Sequence, residues 1–360
     1  MAFDSCRNNS SSDTKTVDRV GVVEAKLLSI SHDKGFTKVD IINPWDTTQL
    51  LHTYLLVPRD IEMPKNLPKG TVVRTPVQNV LVYSSVHSSV ISELGSSSAV
   101  KGVCDAQYFY DSKIAEGLAN GTVTDCGNSM QPTVEKVIEM NPDAILLSPY
   151  QDATYGQIER LNIPIIECAD YMEFTPLGRA EWIKFYGELL GKRDVADSIY
   201  NAVVKNYTHV KDMVSSKNLK RPVVLTENLI SGIWNVPGGQ SYMAQFIKDA
   251  GGDYPWASDS NTGSLNLDFN QVLAKAQNAD YWLIKSPAIR KLSDLKASYS
   301  LNDKFKAFKT GNVYVCDTNT SHFFDRFPFH PEVLLMEYFM IFHPEQSADY
   351  QFQFFSKINQ

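Results

Sequence analysis

The stretch VEKVIEMNPDAILLSPY at residues 134–150 decides the fold, because the stretch FNQVLAKAQNADYWLIKSP at residues 269–287 has the same plan. In each, apolar residues at helical spacing lead to an Asn-x-Asp turn, then to a buried-strand run and a Ser-Pro pair. The turns are Asn141-Pro142-Asp143 and Asn278-Ala279-Asp280. The repetition predicts two α/β lobes; the alternative is chance resemblance, since helix-turn-strand patterns are common.

The segments that precede the two stretches also match. Each has an apolar strand (80–83 and 223–226), a polar break and a helix that ends in glycine (86–95 and 241–251). Parallel sheets bind ligands at the carboxyl ends of their strands. Two such edges that face each other therefore predict a ligand-binding cleft between the lobes.

Composition excludes several classes of protein. The chain has 360 residues, of which 43% are hydrophobic and 21% charged, as expected for a globular protein of two domains. Its apolar runs are far shorter than the roughly 20 residues of a membrane span. A net charge of −7 without a Lys/Arg cluster argues against a nucleic-acid partner. Small molecules and proteins remain as partners.

The cysteines predict an anchor and allow one disulfide. Cys6 precedes a polar stretch at 7–14 that is unable to bury a core, so it looks like the lipid-bearing residue of a lipoprotein; the alternative is an ordinary terminus with an incidental cysteine. The other cysteines have no zinc-site spacing. In an oxidising compartment, Cys104 and Cys126 form a disulfide or remain buried free thiols.

The order of predicted elements divides the chain into five segments. They are a flexible tether (1–19), a β extension packed on the first lobe (20–76), an N-terminal α/β lobe (77–172), a helical segment (173–216) and a C-terminal α/β lobe (217–360). Thr175, Pro176 and Gly191 have the positions of N-cap, first residue and stop of a helix at 176–190. A second helix at 193–215 spans roughly 35 Å, enough to bridge two lobes.

Several motifs now carry a resemblance. In chain order they are LVYSS (81–85), ELG (93–95), KGV (101–103), PTVE (132–135), NPD (141–143), NIPII (162–166), LLGKRDVA (189–196) and HPE (343–345). Over roughly 78–345 the chain resembles the substrate-binding proteins of ABC importers, in the class for iron siderophores, haem and cobalamin. PLGRAEW (176–182) and the β extension look like the Bacteroidetes branch of this family.

The resemblance implies both fold and function. It implies an α/β protein of class III, with two lobes joined by one long rigid helix and limited closure on ligand. Such a protein is a periplasmic monomer that touches the membrane only through its lipid anchor, at Cys6 here. It captures an iron chelate, or a corrinoid as the alternative, and delivers it to an ABC permease, without cofactor or catalysis. Iron chelates are favoured because they are commoner in the family.

Loops at the predicted strand ends supply the candidate ligand contacts. Aromatic side chains bury area at little entropic cost, and arginine pairs with carboxylate, catecholate or phosphate oxygens. The candidates are Ser85, His87, Tyr108, Tyr150, Arg179, Trp234, Tyr242, Trp256, His322 and Arg326. Arg179 lies in the first turn of its helix, where the dipole disfavours a cation, so it is expected to have an anionic partner in ligand or protein. Trp182 and Trp282 fit core positions.

An enzyme and a direct metal-binding protein are the competing classes. No HExxH or GxSxG motif marks a metal or a nucleophile. His87 and His322 supply at most two of four metal ligands. We therefore expect no catalytic residue and no metal site.

Docking to the permease is the last expectation, and it follows from the resemblance. The family uses one exposed acidic residue on each lobe. The segments after the first repeat strand and before the second repeat helix contain Asp152 and Asp268. Asn270 stands where related chains often have Glu. The alternatives are a solvated surface acid and, for Asp268, a helix N-cap.

Overall fold

The computed structural model describes residues 21–217, 219–347 and 349–359. The predicted tether and Cys6 lie outside the described residues. The described chain forms an N-terminal sheet and two α/β lobes, which confirms the predicted fold class. Within these residues, no helix combines the length and the apolar character that a bilayer crossing requires.

The N-terminal sheet has four strands, in the order β1-β2-β3-β4. They are β1 (Leu28–Asp33), β2 (Phe36–Ile42), β3 (Leu50–Pro58) and β4 (Thr71–Thr75). The first three are antiparallel and β4 runs parallel to β3. Its buried side chains, including Leu28, Val39 and Tyr54, share one core with Val80 of the first lobe and with Phe185 of the helical segment that follows it. The sheet is therefore packed on that lobe as one hydrophobic unit.

The N-terminal lobe contains a five-stranded parallel sheet. Its elements are β5 (Val80–Val82), α1 (Ser85–Glu93), β6 (Val100–Val103), α2 (Ser112–Asn120), β7 (Thr124–Asp125), the short hairpin β8 (Gly127–Asn128) and β9 (Gln131–Pro132), α3 (Val134–Met140), β10 (Ala144–Leu147) and β11 (Ile165–Glu167). The sheet order is β11-β10-β5-β6-β7. Both central strands, β5 and β10, are buried along their whole length, as in a sheet covered on both faces.

Three helices connect the lobes: α4 (Pro176–Glu181), α5 (Ile183–Leu190) and α6 (Arg193–Ser216). The helix predicted at 176–190 is divided at Trp182. Its expected ends are present, because the Thr175 hydroxyl accepts a hydrogen bond from the Gly178 amide at 3.0 Å and Gly191 ends α5 with φ +63°.

Helix α6 enters both hydrophobic cores. It is 24 residues long, about 36 Å at 1.5 Å per residue. Its buried residues recur at spacings of three and four, the period of one helix face. Tyr200 and Val203 belong to the core of the first lobe, whereas Tyr207 and Val210 belong to the core of the second. A single rod is thus packed into each lobe.

The C-terminal lobe has a four-stranded sheet and a three-stranded sheet. Its elements are β12 (Val224–Thr226), β13 (Leu229–Ile230), β14 (Ile233–Pro237), α7 (Tyr242–Asp249), β15 (Ser264–Leu267), α8 (Phe269–Ala276), β16 (Tyr281–Lys285), α9 (Leu292–Ser298), α10 (Lys306–Thr310), β17 (Val313–Cys316), α11 (Phe323–Arg326), α12 (Pro331–Phe342) and β18 (Phe355–Lys357). The sheet orders are β12-β16-β17-β18, with β18 antiparallel, and β13-β14-β15.

The two repeated turns make the same hydrogen bonds. The Asp143 amide donates to the Asn79 carbonyl at 2.7 Å, and its carboxylate accepts from the Asn79 amide at 3.0 Å. In the second lobe, the Asp280 amide donates to the Val223 carbonyl at 2.7 Å, and its carboxylate accepts from the Val223 amide at 2.9 Å. Each aspartate thus joins the start of its own strand to the start of the neighbouring strand. The repetition extends to atomic contacts, which argues against chance resemblance.

Of the two alternatives for Cys104 and Cys126, the structure has the free thiols. Both are buried in one hydrophobic cluster. They directly follow the paired residues Val103 and Asp125, so they lie at the ends of the neighbouring strands β6 and β7. Burial raises the pKa of the Cys126 thiol to about 11, which keeps it protonated and unreactive.

Candidate functional site

The carboxyl ends of β5 and β10 open into a cavity of about 590 Å³ in the first lobe, here called the N-lobe cavity. Aromatic and apolar side chains form much of its wall: Tyr83, Met130, Leu147, Tyr150 and Tyr155. Hydroxyl and amide groups, such as those of Ser84 and Gln131, complete it. No side chain among its lining residues is charged. This surface suits a large, mostly apolar ligand with a few polar groups.

A second cavity of about 470 Å³, the interlobe cavity, lies at the ends of β12 and β16. Tyr171 and Met172 of the first lobe face Tyr242, Phe324 and other residues of the second. The Tyr171 hydroxyl donates to the Pro149 carbonyl at 2.5 Å, next to Tyr150 of the N-lobe cavity. The walls of the two cavities are therefore connected. We define the cleft as these two cavities together.

A third cavity of about 530 Å³, the α1 groove, runs beside helix α1. Its N-lobe wall has hydroxyl groups of Ser85, Ser88, Ser89 and Ser92, and its C-lobe wall is built from residues 322–330. Two hydrogen bonds join these walls. The Ser85 hydroxyl donates to Asp325 at 2.5 Å, and His330 Nε2 lies 2.7 Å from the Glu93 carboxylate.

His330 is held between two carboxylates. Its Nδ1 lies 3.0 Å from Glu332, so Glu332 and Glu93 bind opposite sides of the ring. Burial alone lowers the pKa of the imidazole, but the hydrogen bonds and charges of Glu332 and Glu93 outweigh it and raise the pKa to about 9. His330 is therefore protonated at neutral pH and makes a charged contact between the lobes.

Arg179 has the anionic partner that its position in the helix requires, and that partner is protein. Its Nε lies 3.0 Å from Asp170, and it donates from an NH1 group to the Tyr242 hydroxyl at 3.1 Å. The guanidinium also lies over the Phe327 ring, 5.3 Å from its centre. Burial opposes the charge, but Tyr242 and Asp170 outweigh it and keep the pKa of Arg179 above its usual value. Arg179 joins the lobes below the cleft.

Five predicted contacts line a cavity. Tyr150 lines the N-lobe cavity, Tyr242 the interlobe cavity, and Ser85, His322 and Arg326 the α1 groove. Tyr108 is 59% exposed outside the three cavities, while the neighbouring Tyr110 packs edge-on against His322 with ring centres 5.0 Å apart.

Two further candidates are buried beneath the cleft, which corrects their predicted role. Arg179 is 8% exposed and His87 is 1% exposed. His87 Nε2 lies 3.4 Å from the Ser148 hydroxyl, and burial lowers the pKa of its imidazole. Both side chains support residues that line the cavities.

The prediction for Trp234 is wrong. Its side chain is 0% exposed, stacks on Trp282 with ring centres 5.6 Å apart and donates from Nε1 to the Thr226 carbonyl at 2.9 Å. Two glycines that follow Trp234 in the sequence, Gly238 and Gly239, have a packing role. A Cβ on Gly238 would lie 2.3 Å from the Asn261 carbonyl oxygen, so the pair Gly238-Gly239 lets two segments of backbone pack closely.

Trp256 is also a core residue, at 5% exposure. Its ring lies 5.5 Å from that of Tyr254, whose hydroxyl donates to the Pro237 carbonyl at 2.6 Å. Trp256 therefore fixes its loop onto the lobe. Trp182 and Trp282, predicted as core, are both fully buried.

Sequence reasoning missed Tyr83, Tyr155 and Tyr171 as lining residues. Tyr83 directly follows the buried run of β5, a position from which it was detectable. Tyr155 directly precedes the 3-10 helix Gly156–Leu161, and Tyr171 lies in the 3-10 helix Asp170–Met172. Such short helices have too few residues for a periodicity that shows which side chains face a cavity.

The N-terminal sheet reaches the cleft through a hydrogen-bond chain. His52 of β3 lies 3.0 Å from Glu167, which accepts a hydrogen bond from the Tyr155 hydroxyl at 2.8 Å. Burial raises the pKa of the Tyr155 phenol, and the Glu167 charge adds to the effect, so Tyr155 stays a neutral donor. The sheet thus helps to fix one wall of the N-lobe cavity.

The two predicted docking residues are exposed, one on each lobe. Asp152 has φ +55° in the turn after β10. Asp268 is the N-cap of α8, where it accepts from the Gln271 amide at 2.9 Å in a capping box. Within the described part of the chain, no group of three or more His, Cys, Asp or Glu is arranged to bind a metal ion.

Comparisons with known proteins identify the architecture. Residues 84–320 match the family model described as periplasmic binding protein. An uncharacterised lipoprotein of Methanocaldococcus jannaschii is 28% identical over 299 residues, which cover 80% of this chain and 70% of that protein.

Three solved structures have the same fold. A possible iron-binding, periplasmic solute-binding protein of Staphylococcus epidermidis has a TM-score of 0.60 at 14% identity, covering 74% of this chain and 99% of its own. An ABC-type Fe³⁺-hydroxamate transport protein of Saccharomonospora viridis scores 0.57 at 17%, covering 74% and 93%. The periplasmic vitamin B12 binding protein of Vibrio cholerae scores 0.56 at 11%, covering 76% and 99%.

Proposed function

This chain belongs to the periplasmic binding protein family, and from that premise we propose that it captures an iron chelate, or alternatively a corrinoid, and delivers it to an ABC permease. Proteins of this family are transport components that work outside the cytoplasm. The solved relatives named for iron, Fe³⁺-hydroxamate and vitamin B12 support this ligand class.

The cleft is the observation that carries the proposal. Two sheets with repeated topology present their carboxyl edges to it, and its two cavities measure about 590 and 470 Å³. Tyrosines line both cavities and phenylalanines line the interlobe cavity, so a bulky ligand buries a large apolar area there. A long helix packed into both cores limits the motion of the lobes. These features suit capture and release without chemistry on the ligand.

A thermal-shift screen tests the proposal. Ferrichrome, ferric enterobactin, haemin and cyanocobalamin are added separately to the purified chain. A ligand at about 100 times its Kd stabilises the folded state by roughly 2.7 kcal/mol, so one or more should raise Tm clearly. Tyr150→Ala should remove most of the shift. Leu301→Ala, an exposed position that lines none of the three cavities, is the matched control.

The chain is proposed to act as a monomer anchored to a membrane by lipid on Cys6. The relative from Methanocaldococcus jannaschii that is named a lipoprotein supports the anchor. Mass spectrometry of the protein from membranes of an expressing cell tests it: an acylated N-terminal peptide that begins at Cys6 supports the anchor, and an unmodified Cys6 contradicts it. Assignment to the Bacteroidetes branch stays a prediction.

Asp152 and Asp268 are proposed to dock the two lobes on the permease. Both are exposed, which suits a salt-sensitive contact with cationic pockets. Asp152→Asn with Asp268→Asn should leave ligand affinity unchanged and reduce transport in vesicles that contain the cognate permease. Asparagine is an acceptable N-cap, so α8 is retained. Wild-type transport by the double variant would contradict docking through these residues.

A further inference from the structure

The charges around the cleft determine which chelates it favours. The N-lobe cavity presents no charged side chain among its lining residues. Its polar groups are hydroxyls and amides, which donate and accept hydrogen bonds but carry no net charge. An anionic ligand therefore finds no counter-charge on this side.

A neighbouring carboxylate neutralises the one ammonium group that lines the interlobe cavity. Lys285, the one cation among its lining residues, is paired with the Glu227 carboxylate of the neighbouring strand end. The carboxylate of Glu173, which also lines this cavity, accepts hydrogen bonds from the Lys26 amide at 2.9 Å and from Trp182 Nε1 at 2.9 Å. A bound anion would have to compete with Glu227 for Lys285.

The α1 groove, which also lies between the lobes, contains three carboxylates, those of Glu93, Asp111 and Asp325. The basic side chains that line it are Arg326, His330 and His322, and His322 Nδ1 lies 3.9 Å from Asp325. His330 is already bound by Glu93 and Glu332. Arg326 alone among the described lining cations has no carboxylate within 4.0 Å. One arginine is insufficient to balance the charge of a ligand with three negative charges.

Resting on the proposed function, we infer that the cleft selects chelates without net negative charge, namely neutral ferric trihydroxamates or corrinoids, over polyanionic ferric catecholates and haem. The physical reason is that a partly desolvated anion lacks partners here and meets carboxylates instead. The aromatic walls contribute apolar contact area for either kind of ligand, so charge makes the distinction.

Direct binding measurements test the inference. The Kd of the wild-type chain is measured for two neutral probes, ferrichrome and cyanocobalamin, and for two anionic probes, ferric enterobactin and haemin. Of the two neutral probes, the one that binds more tightly should have a Kd about 100-fold or more below the Kd of either anionic probe. Unfavourable charge contacts of this kind change a Kd by several factors of ten. Added salt should bring the Kd values of the neutral and anionic probes closer together, because it screens the carboxylates.

A charge-releasing variant gives the sharper test. Glu227→Gln removes the partner of Lys285 while keeping the side chain's size. The ratio of the Kd for ferric enterobactin to the Kd for the tighter neutral probe should therefore fall about tenfold. Asp303→Asn is the matched control. It also frees a lysine, Lys296, by removing one carboxylate, and neither residue lines a cavity. The control should leave the ratio unchanged.

The outcomes separate the two proposals. Ferric enterobactin or haemin binding as tightly as the neutral probes would overturn the charge selection and leave the proposed function intact. A folded Glu227→Gln variant with an unchanged ratio would also overturn it. Binding of none of the four probes would contradict the proposed function, and the inference would be rejected with it.

Discussion

At the scale of single residues, aromatic side chains have two distinct roles in this protein. Tyr83, Tyr150 and Tyr155 line the N-lobe cavity, whereas Trp234 and Trp256 are buried in the second lobe. The difference follows from position in the fold. The three tyrosines lie in segments that follow β5 and β10. Trp234 packs against Trp282 and Phe305, and Trp256 packs against Tyr254.

Trp234→Ala should reduce the free energy of unfolding by about 3–5 kcal/mol, because a fully buried indole is removed from contact with Trp282 and Phe305. Urea unfolding measures the loss. Trp45→Ala, at a half-buried loop position of the N-terminal sheet, is the control and should cost no more than about 1 kcal/mol. Equal losses in both variants would place Trp234 outside the core.

At the scale of elements, buried carboxylates on helices hold segments of irregular backbone. Glu181 of α4 accepts hydrogen bonds from the amides of Glu24 at 2.7 Å and Ala25 at 2.9 Å. Glu337 of α12 binds the amides of Phe354 and Phe355 in the same way, at 2.8 and 3.0 Å. The amides of Glu24, Ala25 and Phe354 belong to no helix or strand, and Phe355 is the first residue of β18, so each carboxylate fixes the start or end of the described chain onto a lobe.

Glu181→Gln should destabilise the protein by about 2–3 kcal/mol, because the amide group replaces one accepting oxygen with a donor that faces other donors. It should also speed proteolysis of the segment before β1. Glu139→Gln, an exposed glutamate of α3, is the matched control and should change neither property. Unchanged stability of the Glu181 variant would show that solvent satisfies these amides equally well.

At the scale of the whole molecule, the lobes are joined by α6 and by polar contacts across the α1 groove. Helix α6 is common to both cores, so it restricts the lobes to small relative motions. The contacts Ser85–Asp325 and Glu93–His330 join helix α1 of the first lobe to residues 325 and 330 of the second. Because His330 carries a charge, this set of contacts depends on pH.

The contribution of His330 should be lost as the pH rises. Its folded pKa of about 9 exceeds the ordinary value of 6.5, so the stabilisation is complete below about pH 6.5 and disappears as the pH passes through 9. It amounts to at most about 3 kcal/mol. The difference in unfolding free energy between wild type and His330→Gln should therefore shrink from pH 6 to pH 10.

His209→Gln, at an exposed position of α6 outside the α1 groove, is the matched histidine-to-glutamine control. His87 and His343, whose pKa values are lowered by burial, also make the stability depend on pH. Their effect cancels when the unfolding free energies of wild type and variant are subtracted at each pH. A difference that stays constant across the range would mean that His330 is neutral in the folded protein.

The sequence alone determined the architecture. Local patterns were sufficient because α/β lobes are built from short units: Asn141-Pro142-Asp143 and Asn278-Ala279-Asp280 mark the same turn, and Thr175 and Gly191 mark helix ends through local hydrogen bonds and φ angles. The predicted bounds of helix α6, 193–215, differ from the observed ones by one residue. Its apolar residues recur at helical spacing because they pack into the two cores.

Only the tertiary structure decided which side chains form the site. Trp234 was predicted to lie in a strand-end loop, but it is buried, and Gly238 and Gly239 pack closely against residues 256–263. Arg179 was expected to have an anionic partner, and the fold selected Asp170 over a ligand. The pairs Glu227–Lys285 and Glu93–His330 join residues 58 and 237 positions apart. Periodicity reports which face of an element is buried, whereas partners across two lobes are set by how those faces meet.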